Sequence, residues 1–235
     1  MEVTRAHVSA ALAALAADGF AFPGSRFIDT SLARPAAVVV PVLFAKEPRV
    51  LFILRGAKLK DHAGEVGFPG GKPEPGDADL RETALRELGE EVGLGPESVE
   101  WLGGLTPCPV ITGRFLIHPF VAAIREDARP FAASPEIDRV LSLPLLPLIT
   151  GERRFHAIAH EHEGKRFVAP HFRIEASDMQ GGTPGQGETS SVVLYGASAY
   201  IFYELLARLA RELGIALAEA IIEDDPPWGN RYARA

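Results

Sequence analysis

The chain of 235 residues has one cysteine, Cys108. It therefore cannot close an intrachain disulfide or build a cysteine-rich zinc site. Also missing is any apolar run approaching the ~18–20 residues that a helix needs to cross a bilayer, so no membrane partner is expected. The opening residues Met1-Glu2-Val3-Thr4-Arg5 lack the basic region of a secretory signal. The end, Tyr232-Ala233-Arg234-Ala235, is not a peroxisomal address, and a cytoplasmic protein is the expectation. Positive charge is short as well: 24 Lys and Arg stand against 31 Asp and Glu, a net charge of −7. A general binder of phosphate backbones needs the opposite sign, so nucleic acid is not expected as a partner. No internal repeat and no second core are visible.

What is there suits one layered domain. Hydrophobic residues make up 47% of the chain, enough for a sizeable core. Thr4 is placed to cap a first helix that runs to about Asp18 before Gly19. Ala37–Phe44 and Arg49–Leu54 read as a hairpin around Ala45-Lys46-Glu47-Pro48. Residues 56–78 mix glycine, proline and charge, the composition of a long functional loop. A helix follows from Asp79 to Val92, with Asp77 or Asp79 as its cap, Gly93 past its end, and Leu80, Ala84, Leu88 and Val92 as its core stripe. Further strands are expected at Val99–Leu105, Phe115–Ile124, Arg153–His160 and Lys165–Ile174, and a short helix within Pro135–Leu148. A long helix is expected over Ala197–Glu212, after a Gly/Ser/Thr-rich insertion at Ser177–Ser191. The division is an N-terminal extension over 1–34, an α/β domain over 35–222 and a charged tail over 223–235.

Chemistry concentrates in Arg86-Glu87-Leu88-Gly89-Glu90-Glu91-Val92-Gly93-Leu94. On a helix, Glu87 and Glu91 stand one turn apart and Glu90 three residues from Glu87, so their carboxylates form one cluster. Like charges at that spacing repel by a few tenths of a kcal/mol per pair. A divalent cation relieves the repulsion and takes the oxygens as hard ligands, which suits Mg²⁺ or Mn²⁺ shared with a substrate phosphate. Three glutamates alone read more readily as a solvated acidic helix face.

The residues around them go further. Phe68-Pro69-Gly70-Gly71 leads into a Lys/Pro/Glu/Asp loop, and Arg86 opens the acidic run. The segment resembles the box of the Nudix hydrolases: a glycine, five residues, a glutamate, seven residues, then Arg-Glu-apolar-x-Glu-Glu-x-Gly-apolar. Its second half is complete from Arg86 to Leu94. In its first half, Ala78 holds the expected glutamate position, and Asp77 follows Gly71 with one extra residue before Arg86. That shifted aspartate is similar to the coenzyme A pyrophosphatase branch. So are Thr83-Ala84-Leu85 and the upstream run of Arg55, Leu59-Lys60-Asp61-His62-Ala63-Gly64, Val66 and Phe68–Gly71. Ile53, Gly56 and Lys60 depart from the branch's threonine, serine and arginine. Tyr195–Ala199, Pro135-Glu136-Ile137 and Leu143-Pro144-Leu145 look like its later segments, so that the resemblance covers about residues 35–213.

The resemblance implies an α/β/α sandwich with a mixed β-sheet and a loop-helix-loop box. It implies Mg²⁺ or Mn²⁺ on Glu87 and Glu91, with Glu90 and the Gly71 carbonyl as further ligands. Arg86 would fix the loop and the glutamates by charge-assisted hydrogen bonds, with Glu82 one turn away as a pairing candidate. Glu90 or Glu136 would serve as the base that accepts a proton, and Arg55, Lys60 and His62 would meet the phosphates of a small nucleotide substrate. The implied reaction is hydrolysis of a diphosphate bond, with coenzyme A or an acyl derivative favoured. The rivals are ADP-ribose, a nucleotide sugar or a dinucleoside polyphosphate as substrate, and a nucleotide-sensing module without catalysis. A homodimer is left open. The histidines His156, His160, His162 and His171 sit on two expected strands and their turn, where even spacing puts some on one face; they invite a zinc reading, but a zinc site is not the expectation. Cys108 between two prolines reads as a small buried side chain.

Overall fold

The computed structural model describes residues 2–13, 22, 25, 28–162, 165–175, 178–180 and 191–227. Helix α1 (Arg5–Ala13) starts where Thr4 predicts, its Oγ1 accepting from the His7 N–H; the expected continuation to Asp18 lies outside the described residues. Strands β1 (Arg34–Leu43) and β2 (Arg49–Arg55) follow, then the two-residue strands β3 (Val66–Gly67) and β4 (Gly70–Gly71) inside the expected loop. Helix α2 (Leu80–Val92) precedes β5 (Val99–Gly104), β6 (Cys108–Pro109), β7 (Phe115–Ile124) and β8 (Ile137–Pro144). The second half holds α3 (Leu145–Thr150), β9 (His156–His162), β10 (Lys165–Glu175), β11 (Met179–Gln180), β12 (Ser191–Leu194), α4 (Gly196–Glu212) and β13 (Ile221–Glu223).

A mixed sheet in the order β11-β8-β2-β1-β7-β5 forms the middle layer. The β1–β2 hairpin exists, but only Val42↔Val50 and Leu43↔Arg49 pair; the rest of β1 runs parallel to β7 from Arg34↔Phe115 to Leu43↔Ile124. Central strands are buried on both faces, and their residues alternate between two cores. On β2, Leu51 and Ile53 pack with Ala84, Leu88 and Val92 of α2, whereas Val50, Phe52 and Leu54 join the core containing Phe202, Leu205 and Leu209 of α4. Two helical layers therefore flank the sheet, giving the α/β/α sandwich. A second sheet, β12-β10-β9-β13, carries α4 against Phe172 and Ile174.

Three expectations need correction. The segment 135–148 is mainly strand: Ile137, Val140, Leu141 and Leu143 are buried, and β8 pairs antiparallel with β2 along its length. The helix begins only at Leu145, beyond Pro144. The strand expected at Arg153 starts at His156, because the Arg153 side chain binds Asp178 and the Arg173 carbonyl instead. The fold also runs on to Glu223, where β13 pairs parallel with β9 at the point a charged tail was expected. Most of the insertion at 177–191 lies outside the described residues.

Candidate metal and phosphate site

The glutamates stand over a glycine turn, and both partners are fixed by local structure. Asp79 caps α2, accepting from the Arg81 and Glu82 N–H groups at 2.8 and 2.9 Å. At the other end Gly93 takes the left-handed conformation, φ 71°, that ends the helix. The last carbonyls of α2 are satisfied from outside, because Phe131 N–H donates to Val92 O and Ala133 N–H to Glu91 O. That contact draws segment 131–136 beside the acidic end of the helix. The Glu136 carbonyl then accepts from Gly56 N–H at 2.8 Å, joining the segment to the end of β2.

Gly70 N–H donates to Glu91 Oε2 at 2.9 Å. A Cβ on Gly71 would stand 2.1 Å from Glu87 Oε1, so only glycine lets this carboxylate reach the turn. Glu91 is buried and the Glu87 side chain is 18% exposed, whereas Glu90 points outward at 58%. Burial raises the carboxyl pKa of both inner acids; Glu91 reaches about 7, even though the Gly70 amide and Arg55 pull it down.

Arg86 clamps the cluster. Its Nη1 donates to Glu87 Oε1 at 3.0 Å and Glu90 Oε2 at 3.2 Å, while Nη2 donates to the Lys72 carbonyl. Its Nε and Nη2 also hold both oxygens of Asp77, at 3.2 and 3.3 Å. Asp77 is thus not the helix cap. It accepts from Thr83 Oγ1 and the Glu74 N–H as well, and the Arg86 guanidinium first of all holds its carboxyl down near 2. Glu82 turns to the Ala78 N–H at 2.7 Å instead of Arg86.

Arg55 is the second guanidinium here, with Nη1 on Glu91 Oε1 at 3.2 Å and Nη2 on Glu136 Oε2 at 3.0 Å. Its Nε is buried without a hydrogen-bond partner among the described residues. The structure brings Arg55, Gly71, Arg86, Glu87, Glu90, Glu91 and Glu136 together through this network. It does not bring in Lys60 by any described contact; that residue is exposed on the loop after β2. His62 is exposed as well, at positive φ (57°), its Nδ1 2.8 Å from Glu65 Oε2.

The donor set fits a hard divalent cation. Five carboxylates, of Asp77, Glu87, Glu90, Glu91 and Glu136, face two guanidinium groups. All the free donors are oxygen, the choice of Mg²⁺ or Mn²⁺. The surplus negative charge is what a bound cation would neutralise, and the inner carboxylates Glu87 and Glu91 are groups that could hold it.

Residues 33–161, more than half of the chain, match the family model described as NUDIX domain. The chain belongs to the Nudix family. Its relatives include a Citrobacter koseri protein named Uncharacterized Nudix hydrolase NudL, 43% identical over 112 residues, which are 48% of this chain and 58% of that protein. The protein of the same name from Enterobacter sp. (strain 638) is 36% identical over 131 residues, 56% of this chain and 67% of the relative. The matched stretch thus spans little more than half the length of the first of these Nudix relatives. Among solved structures, a MutT/nudix family protein from Enterococcus faecalis is 18% identical, with 79% of this chain and 69% of that one covered and a TM-score of 0.45. The segment around Glu87–Glu91 lies inside the matched residues of the Nudix chain. No helix among the described residues is long and apolar enough to cross a membrane.

Sequence reasoning missed the contribution of Thr83, whose buried hydroxyl secures Asp77. A threonine on the core side of a helix six residues after an aspartate is the signal that was available.

Proposed function

We propose that this Nudix chain hydrolyses a diphosphate bond in a small nucleotide derivative, using Mg²⁺ or Mn²⁺. The observation that carries the reading is the convergence of Glu87 and Glu91 on the Gly70–Gly71 turn, with more carboxylates than cations around it. A diphosphate resists attack because its anionic oxygens repel the nucleophile, and a bound divalent cation supplies the positive charge and Lewis acidity that relieve this. The protein's own residues do the rest. Glu87 and Glu91 hold the cation, and the Gly71 carbonyl adds a neutral oxygen. Arg86 keeps loop and helix in one geometry, which is its catalytic contribution. Glu90 and Glu136 are the two exposed carboxylates of the network, each oriented by a guanidinium, and so are the groups able to take a proton from the attacking water. Arg55, with a buried unpaired Nε, gives the substrate's phosphates a positive wall, and Lys60 and His62 lie on the loop that leads away from it.

Within that chemistry, coenzyme A or an acyl-coenzyme A is the favoured substrate, yielding the phosphopantetheine and adenosine 3′,5′-bisphosphate. Support comes from the run Leu59–Gly71 and from Asp77, which grips Arg86 one residue away from the usual glutamate position. A panel of coenzyme A, ADP-ribose, a nucleotide sugar and a dinucleoside polyphosphate with Mg²⁺ or Mn²⁺, read by product mass, tests it. Splitting of coenzyme A is expected. ADP-ribose cleaved while coenzyme A stays intact overturns the substrate, and no cleavage of any compound overturns the activity.

A further inference from the structure

The second sheet carries a polar cluster that the glutamate site does not use. His156 and His171 are direct partners in the β9–β10 register, and Ile221 of β13 stands opposite His156. Side chains two residues apart share a face of a strand, so Glu223 joins the two histidines across three adjacent strands. His171 Nε2 lies 3.1 Å from Glu223 Oε2, and His156 Nδ1 lies 2.7 Å from Glu223 Oε1. The second approach is close, yet it lacks the angles of a hydrogen bond, and this nitrogen is buried from solvent. One ligand atom from each of the three residues falls within a 4.8 Å span.

We propose that His156, His171 and Glu223 form a second metal site, one that takes Zn²⁺ and pins the C-terminal strand β13 onto the β9–β10 hairpin. Two imidazoles and a carboxylate are a zinc ligand set that leaves a fourth position for water. With zinc–ligand distances of about 2.1 Å, tetrahedral ligand atoms stand roughly 3.4 Å apart, near the existing 2.7 and 3.1 Å contacts and within the 4.8 Å span of the three ligand atoms. Ligation needs neutral imidazole. His171 is fully buried, a setting that disfavours a charged ring. Arg173 Nη2 donates to Glu223 Oε1 at 2.8 Å, an outer contact that orients the carboxylate and leaves Oε2 toward His171. The two sites differ in softness, all oxygen at the helix α2 cluster and nitrogen-rich here, which sorts Mg²⁺ from Zn²⁺.

The test uses the full chain, stripped with chelator and returned to buffer with excess Mg²⁺ to occupy the glutamate cluster. Zn²⁺ is titrated in competition with a chromogenic indicator, and Co²⁺ is followed by its visible absorption. One equivalent of Zn²⁺ per chain is expected, with an intense four-coordinate Co²⁺ band and a rise in Tm on adding Zn²⁺. His156→Asn and Glu223→Gln, both at partly exposed positions, are each expected to weaken Zn²⁺ binding by about 100-fold or more, since loss of even an outer-shell partner costs 10–100-fold. Glu87→Gln/Glu91→Gln is expected to leave it unchanged. The proposal is overturned if wild-type protein takes up no equivalent of Zn²⁺ and shows only the weak six-coordinate Co²⁺ spectrum. It is equally overturned if His156→Asn and Glu223→Gln, folded by circular dichroism, bind Zn²⁺ as wild type does.

Discussion

Glu87 Oε1 occupies the space that a side chain on Gly71 would need: a Cβ there would lie 2.1 Å from it and 2.6 Å from the Glu87 Cδ. The obstructing atoms are the far end of a flexible side chain, so Gly71→Ala is expected to fold and to push Glu87 off the turn. Activity should fall by roughly 100-fold or more, as expected when a catalytic group is misplaced by about 1 Å, with Tm nearly unchanged. The neighbouring substitution behaves differently. A Cβ on Gly70 would meet the Ala37 carbonyl oxygen at 2.2 Å and Val38 Cα at 2.7 Å, both backbone of β1. Gly70→Ala should therefore lose stability, by about 3 kcal/mol, and show it as a lower Tm. Equal behaviour of the two variants would contradict the division of labour between these glycines.

Glu91 gives a pH dependence of defined sign. Its folded pKa of about 7 lies above the ordinary value of 4.5, so the folded state binds the proton more tightly than the unfolded one. Metal-free protein should gain stability as pH falls from 7 towards 4.5, and lose it as pH rises through that window. A shift of that size corresponds to at most roughly 3 kcal/mol. Denaturant midpoints between pH 5 and 8 should show the slope in chelator. Glu91→Gln should flatten it, and added Mg²⁺ should remove it by favouring the carboxylate. A slope unchanged in Glu91→Gln would assign it to another group.

Asp77 and Arg86 supply a test of positioning. Asn in place of Asp77 keeps the size and removes the charge that holds Arg86 from two sides. Losing a residue that orients metal-binding groups through another costs about 10–100-fold in metal affinity or activity, and Mn²⁺ binding followed by electron paramagnetic resonance should weaken in that range. Arg86→Lys should do as badly, because an ammonium cannot fork between Asp77, Glu87, Glu90 and the Lys72 carbonyl at once. Unaltered Mn²⁺ affinity in both variants would leave Arg86 with no part in shaping the cluster.

The helix and its acid spacing were legible because α-helical neighbours are set by local sequence, and Glu87, Glu90 and Glu91 lie within one turn. Asp79 as the cap and Gly93 as the stop were legible for the same reason. What sequence left undecided is non-local. Nothing near Ile137 announces that β2 will pair with it, and the apolar run there suits a buried strand or a helix equally. Glu136 reaches the cluster only because Gly56 and the end of α2 hold its segment. Glu223 joins His156 and His171 across more than fifty residues, through the β13–β9 register. Asp77 was open between two local roles, and Thr83 and Arg86 decide between them.

The buried pair of Glu204 and Arg208 on α4 is the last relationship with a measurable consequence. Glu204 is fully buried and Arg208 is 4% exposed; Glu204 also accepts from the Thr106 N–H and hydroxyl, tying α4 to the turn after β5. Removing one member of such a pair leaves an uncompensated charge and costs about 3–5 kcal/mol. Arg208→Met should therefore lower Tm by roughly 10 °C for a chain of this size. Burial raises the Glu204 pKa, so the carboxyl can escape its charge by taking a proton. The deficit of Arg208→Met should shrink as pH is lowered from 8 to 5. Replacing both groups, Glu204→Leu with Arg208→Met, should recover most of the loss, because no buried charge remains. A double variant as unstable as the single one would mean that Thr106, left without its acceptor, and not the charge, sets the cost.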